Sequence, residues 1–338
     1  HWIGGLFFLI SLILIFSNFK NEFKLTHLAY NPDKAINLFK DTNKIVLKVF
    51  FLYVFLTTLI FILFTLSGVR LFNSFNLAMS VSSTGAFLPS NELSEIIKSP
   101  SQKLILLTGL TFSSLNIYFF YSLFANTNII KKHYEDVIIL LIAVFFSLIL
   151  FFSIGNATFL NIFSNVVSSL SNSGLSTYTP PQNFYLFFIF LTILGGSIIS
   201  NSSGIKILRI YILFKSFIFE IYKLASPNTV IDRRILKTEH KINNDNLNSS
   251  FLIFICFFIS IFLLSSILTI GGLNFENSFK LSMLTITNTV NSDLYGLEEI
   301  DFSNLLTSSK IFIILFMVIG KIELISLLII IKKAISRN

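Results

Sequence analysis

The sequence predicts an all-α membrane protein of repeated units, each with two spans bracketing a re-entrant pore helix beside a central pore. Three observations carry this. The chain is 54% hydrophobic and 12% charged, with 41 Phe in 338 residues, against roughly 25% charged in an average soluble protein. At least seven apolar stretches reach about 17 residues, the length a bilayer core demands. They lie at 1–19, 45–69, 102–126, 136–154, 183–214, 251–271 and 309–331. Three of the gaps between them hold a segment too polar to cross a bilayer and too apolar for an ordinary loop.

The spans alternate in direction, and charge sets their orientation. Segments 20–44, 127–136, 215–250 and 332–338 together hold sixteen Lys/Arg, and the opposite side holds five (Arg70, Lys98, Lys103, Lys280, Lys310). The basic set therefore faces the cytoplasm. A net charge of +8 is explained by this bias, and no nucleic-acid partner is implied. The outer segment 272–308 is acidic, with Glu276, Asp293, Glu298, Glu299 and Asp301 against Lys280.

The three bracketed segments share a register. They read Asn73-Ser-Phe75 to Ser83-Thr84-Gly85-Ala86, Asn161-Ile-Phe163 to Asn172-Ser173-Gly174, and Asn277-Ser-Phe279 to Asn288-Thr289-Val290. In each the register position lies eleven residues after the Phe and about 40 after the start of the preceding span, an internal repeat. Three helical turns rise about 16 Å, too little to cross about 30 Å of hydrocarbon. Non-helical backbone at that depth must be buried in protein or line water. A half-helix followed by Ser, Thr, Asn and Gly is thus expected to turn backbone carbonyls toward a cation that has shed its water. Glycine suits the unusual dihedrals such a strand needs, and the register position reads Ala86, Gly174, Val290.

Span 183–214 is interrupted by Gly195-Gly196-Ser197-Ile-Ile-Ser200-Asn201-Ser202-Ser203-Gly204, a run poor in helix formers. A break at mid-membrane frees carbonyls and amides, so the run is expected to line the pore as a gate loop. Lys321 lies about ten residues from the end of the last span, too deep to reach the interface. It cannot pair with Glu323, two residues on. The freed carbonyls of 195–204 are its expected partner.

No catalytic constellation is visible: the chain has no nucleophile elbow, no HExxH, no phosphate loop and no intramembrane His or carboxylate pair. Cys256 and four scattered His give no metal spacing. The chain does not read as an enzyme. Segment 215–250 reads as a helical extension over Lys215–Leu224 followed by a flexible linker at the Asn run 243–248.

At these residues the chain resembles the TrkH/KtrB/HKT superfamily of potassium (and sodium) translocating subunits. Ser171-Asn-Ser-Gly-Leu-Ser-Thr177 resembles a filter. Gly195–Arg209 resembles the intramembrane gate loop and the basic helix after it. Ser226-Pro-Asn-Thr-Val230 resembles the cytoplasmic turn that follows. Gly320-Lys-Ile-Glu-Leu324 resembles the motif of the last span whose basic residue holds the gate loop. The opening His1-Trp-Ile-Gly-Gly5 resembles the start of the second span of a first pore unit, so the bracketed segments become units two to four and the first unit is expected to be incomplete, an N-terminal truncation.

The resemblance implies four units around a pseudo-fourfold pore in a plasma membrane of bacterial type. It implies K+ (or Na+) as the transported ion with no organic cofactor, a homodimer in membrane lipid, and a cytosolic nucleotide-binding regulatory subunit of the TrkA/KtrA kind. The departures at Ala86 and Val290 keep a second reading open, a non-conducting or sodium-preferring paralogue. A transporter of organic solutes would need charged partners in mid-membrane beyond Lys321 and Glu323.

Overall fold

The computed structural model describes residues 1–18, 42–90, 92–124, 133–155, 157–226, 242, 244–289, 294–297, 300 and 302–322. Among the described residues all regular structure is helical. Helix α1 (Trp2–Asn18) comes first. The second unit follows as α2 (Thr42–Leu66), half-helix α3 (Leu71–Ser82), short α4 (Leu93–Ile96), and a split span, α5 (Pro100–Ser114) and α6 (Ile117–Phe124). The third runs α7 (Tyr134–Ile154), half-helix α8 (Phe159–Leu170), a 3-10 turn (Gln182–Phe184), α9 (Tyr185–Leu194) and, after an irregular segment, α10 (Ile207–Ala225). The fourth is α11 (Asn244–Ile270), half-helix α12 (Phe275–Ile286) and α13 (Thr307–Ile322).

Each half-helix has 12 residues, about 18 Å of rise. It packs against the first span of its own unit and the second span of the unit before: α3 on α2 and α1, α8 on α7 and α5, α12 on α11 and α9. That repeating contact links each unit to the next. Gln102 fixes one corner of it. Its side chain completes a capping box with Ser99 at the start of α5 and donates to the Ser67 carbonyl after α2, at 3.1 Å.

Polarity is inverted relative to a water-soluble protein. The half-helices bury Ser74, Ser164, Ser168, Ser278 and Ser282, while Phe51, Phe145, Phe152, Phe262 and Leu263 of the spans stand exposed. Buried hydroxyls donate to backbone carbonyls within their own turn, as Ser147 does to Val144 at 2.8 Å. The exposed apolar faces need hydrocarbon around them. Three helical segments among the described residues are long and apolar enough to cross a membrane: Val46–Leu66, Tyr134–Ile154 and Asn246–Ile270.

Two expectations change. The stretch 102–126 is not one helix, because Leu115 and Asn116 interrupt it. The Asn run is not a linker from 244 onward. It forms the first turn of α11, where Asn246 is buried and its carbonyl accepts from Ser250 Oγ at 2.8 Å. Packing against the bundle overrides the low helix propensity of Asn there.

Candidate ion filter and gate loop

The three half-helices end in one way. After Ser83, Ser171 and Thr287 at the C-cap, the next residue is left-handed: Thr84 at φ 55°, Asn172 at 59° and Asn288 at 56°. Its amide bonds back to Val81, Ser169 and Thr285 (3.2, 3.1 and 3.1 Å), and the amide after it to Ser80, Ser168 and Leu284 (2.7, 3.0 and 2.9 Å). This pair of bonds is the Schellman ending, which turns the chain sharply and pairs two orphan helix carbonyls. The left-handed site thus falls two residues before the position where glycine was expected. Asn accepts that conformation more readily than Thr does, so Asn172 and Asn288 were a sequence signal for the turn, and Thr84 was not.

The strands beyond the turn differ. Gly174 takes φ 73°, while Gly85 and Ala86 lie outside the left-handed region. Alanine at 86 is thus unstrained. Val290, with the Asn291-Ser292-Asp293 that follows it, lies outside the described residues. In the third unit, Asn165 holds the outgoing strand. Its Nδ2 donates to the Tyr178 carbonyl at 2.6 Å and its Oδ1 accepts from the Thr177 amide at 3.2 Å. Ser168 Oγ meets Ser173 Oγ at 2.9 Å. In the second unit, Ser80 Oγ donates to the Gly85 carbonyl at 2.6 Å, which engages that oxygen from behind the strand. In the fourth, Thr287 and Thr289 pair through their hydroxyls at 2.6 Å.

Each left-handed side chain reaches out to another segment. Asn172 Nδ2 donates to the Thr192 carbonyl at 2.8 Å and Asn288 Nδ2 to the Met317 carbonyl at 3.0 Å, both on the second span of the same unit. Thr84 Oγ1 instead approaches the Asn201 carbonyl at 3.3 Å, sharing its proton with the Ser83 carbonyl at 2.7 Å. Asn172 Oδ1 and Asn201 Oδ1 are buried acceptors with no hydrogen-bond partner among the described residues.

The gate loop is a knot of short-range bonds. Gly195 and Gly204 are left-handed and face each other closely, and a Cβ on Gly196 would collide with the Ser114 carbonyl and Ser202 Oγ. The loop joins the break in the second unit. The Ser197 amide donates to the Ser114 carbonyl at 2.9 Å, and the Ile117 amide to the Ile199 carbonyl at 3.1 Å. Two interruptions thereby pair backbone groups that each would otherwise strand in the interior. Ser200 Oγ lies 2.7 Å from Ser202 Oγ, and Ser203 is buried beside them. Lys321 Nζ donates to the Asn201 carbonyl at 2.5 Å and lies 4.9 Å from the centre of the Phe8 ring. Glu323 lies outside the described residues.

The sequence reading missed two groups that hold this loop. Lys206, left-handed at φ 74° and buried, donates to the Ser202 carbonyl and lies 3.2 Å from Ser202 Oγ. Glu135 was assigned to a cytoplasmic loop. It is buried at the start of α7, and its carboxylate accepts from Ser197 Oγ at 3.0 Å and the Ile198 amide at 2.9 Å. Its neighbour Asp136 is buried too, accepting from the Asn116 amide at 2.8 Å and pairing with His133 at 3.2 Å. The sequence reading thus passed over a buried His133–Asp136 pair beside a buried Glu135 at this helix start. The signal was present: two acids in the first turn of an apolar run, where the helix dipole favours them. Both carboxylates hold backbone: Glu135 the Ile198 amide and Asp136 the Asn116 amide.

No family model matches the chain. It is similar to the Trk system potassium uptake protein TrkG of Escherichia coli, 25% identical over 312 residues, covering 87% of this chain and 62% of the relative. It is also similar to an uncharacterized cation transporter of Methanocaldococcus jannaschii, 22% identical over 287 residues, covering 81% and 57%. The chain thus spans about three-fifths of the length of the curated relatives it matches. Its fold matches the crystal structure of the potassium transporter TrkH from Vibrio parahaemolyticus, with a TM-score of 0.82 over 97% of this chain and 70% of that one, at 20% identity. The chain thus shares the fold of that potassium transporter and is similar in sequence to TrkG over most of its own length.

Proposed function

We propose that the chain is the translocating subunit of a monovalent-cation uptake system, with K+ as the principal ion. It would pass the ion along backbone carbonyls of the strands at 83–86, 172–174 and 288–290, and close the path with the loop 195–204. The observation that carries this is the common ending of the three half-helices. Each leaves the negative end of its dipole and a turned strand free to serve a cation, and the second strand end meets a loop held by Lys321 and Glu135. Similarity to proteins named as potassium and cation transporters supports the choice of ion. On this reading the protein moves an ion and performs no covalent chemistry, sits in a plasma membrane, and works as a homodimer under a cytosolic nucleotide-binding subunit that pulls on the gate loop.

One observation favours a variant of this reading. The Gly85 carbonyl is engaged by Ser80 from behind the strand, and Ala86 does not take the dihedral of Gly174. A second carbonyl ring altered in this way would discriminate less sharply between K+ and Na+. The test is rubidium and sodium uptake by the full-length protein in uptake-deficient cells with its cytosolic regulator. Rubidium uptake well above background is expected. No uptake of either ion, with the protein present in the membrane, would sink the proposal; sodium uptake matching rubidium would favour the variant.

A further inference from the structure

Asn201 lies where three parts of the molecule meet. Its side-chain Nδ2 donates to the carbonyl of Ser82 at 2.8 Å. Its own carbonyl accepts from Lys321 Nζ at 2.5 Å and faces Thr84 Oγ1 at 3.3 Å. Ser82 is the last residue of half-helix α3. The Schellman turn pairs the carbonyls of Ser80 and Val81 and the Ser83 amide pairs that of Met79, so the Ser82 carbonyl is the orphan left at this helix end. Asn201 caps it from another unit. The other two turns are tied to spans of their own unit, through Thr192 and Met317. The second strand end is tied directly to the loop. It is also the strand whose turn carries a β-branched residue at φ 55°, a conformation such residues hold only where surrounding contacts impose it.

We infer that Asn201 is a positioning residue for the second filter strand, so that ion discrimination there depends on where the gate loop sits. The inference rests on the translocation reading above. When the loop is in place, the Asn201 amide holds the end of α3 and Thr84 in the turned geometry. When the loop leaves, the Ser82 carbonyl loses its donor and the strained turn loses its support, so opening the gate also loosens the second carbonyl ring. Gate and filter are then one hydrogen-bonded assembly at this unit.

The test compares rubidium and sodium uptake by the full-length protein, with its cytosolic regulator, for wild type, Asn201→Ser and Asn201→Gln. Serine removes the amide donor and glutamine retains one. The rubidium-to-sodium flux ratio is expected to fall about two- to tenfold in N201S, the worth of one hydrogen bond, and to recover in N201Q. A change in total flux with an unchanged ratio would overturn the inference and leave Asn201 as part of the gate alone. If wild type carries neither ion, the translocation reading fails and this inference fails with it. If N201S does not reach the membrane, Thr84→Val decides: it removes the hydroxyl facing the Asn201 carbonyl, the same fall is expected, and a wild-type ratio overturns the inference.

Discussion

The pore helix of the third unit carries Asn165 at the position where the second carries Leu77 and the fourth Leu281. That one difference separates two ways of holding a filter strand. In the third unit the helix grips the strand itself, through the amide of Thr177 and the carbonyl of Tyr178. In the second unit Leu77 is wholly buried among apolar neighbours and offers nothing to the strand. The strand relies instead on Ser80 from its own helix and on Asn201 from the gate loop. On the proposed reading, a strand held from within its own unit would keep its geometry when the gate moves, and a strand held by the gate would not. The repeat gives each unit the same turn, and the side chains around it decide how independent each turn is.

The comparison can be broken most severely at Asn165. Asn165→Leu makes the third helix resemble the second and removes the partners of a half-buried amide and a half-buried carbonyl, at a cost of about 1–3 kcal/mol. A large drop in the thermal unfolding midpoint of the detergent-solubilised protein is expected, with loss of rubidium uptake; a midpoint unchanged from wild type would show that the strand is held elsewhere.

Two glycines where second spans cross half-helix ends come next. A Cβ on Gly320 would run into the backbone of Ile286, whereas one on Gly109 would meet the Val81 side chain at 2.6 Å. Backbone cannot yield and a side chain can. Gly320→Ala should therefore cost about 2 kcal/mol, and Gly109→Ala less than about 1 kcal/mol. The order of the two unfolding midpoints checks this.

The left-handed residues sharpen the contrast by sign. Thr84→Gly removes strain of about 1–2 kcal/mol and should leave stability level or raise it. Asn172→Gly gives up the bond to Thr192 and should lose about 1 kcal/mol. Equal effects of one sign would show that strain at Thr84 does not distinguish the second turn.

The smallest effect is expected at Ala86. It is not left-handed, so Ala86→Gly gains no relief and costs at most about 1 kcal/mol in backbone entropy. The rubidium-to-sodium ratio should stay at the wild-type value. A shift would mean that the conformation at 86, more than the engaged Gly85 carbonyl, sets the second ring.

Much of this architecture was legible because it is written in local pattern. The register of Asn and Phe, repeated with constant spacing, marks half-helices too short to cross. The Gly/Ser run from 195 to 204 marks a break, and Lys321 marks a charge in need of carbonyls. The Asn and Phe register pointed to unusual dihedrals at 86, 174 and 290, and Gly174 takes one; the helix-ending bonds add a left-handed residue two positions earlier, at Thr84, Asn172 and Asn288. The break at Leu115–Asn116 was hidden because Ser and Asn are tolerated in spans; it is stable only because the loop supplies Ser197 and Ile199 as partners. Glu135 fell in a segment assigned to a cytoplasmic loop, and its partners lie on a loop some sixty residues away in sequence.

The sequence by itself determined a helical membrane-protein fold and its repeated half-helices, because hydrophobic length and spacing are properties of short segments in a known solvent. Only the tertiary structure decided how each strand end is held, and that the second is bonded directly to the loop at 195–204. That choice rests on single hydrogen bonds between residues more than a hundred positions apart, such as Asn201 to Ser82. No periodicity encodes such a bond; burial makes it count, because a carbonyl at a helix end inside the membrane has no water to turn to.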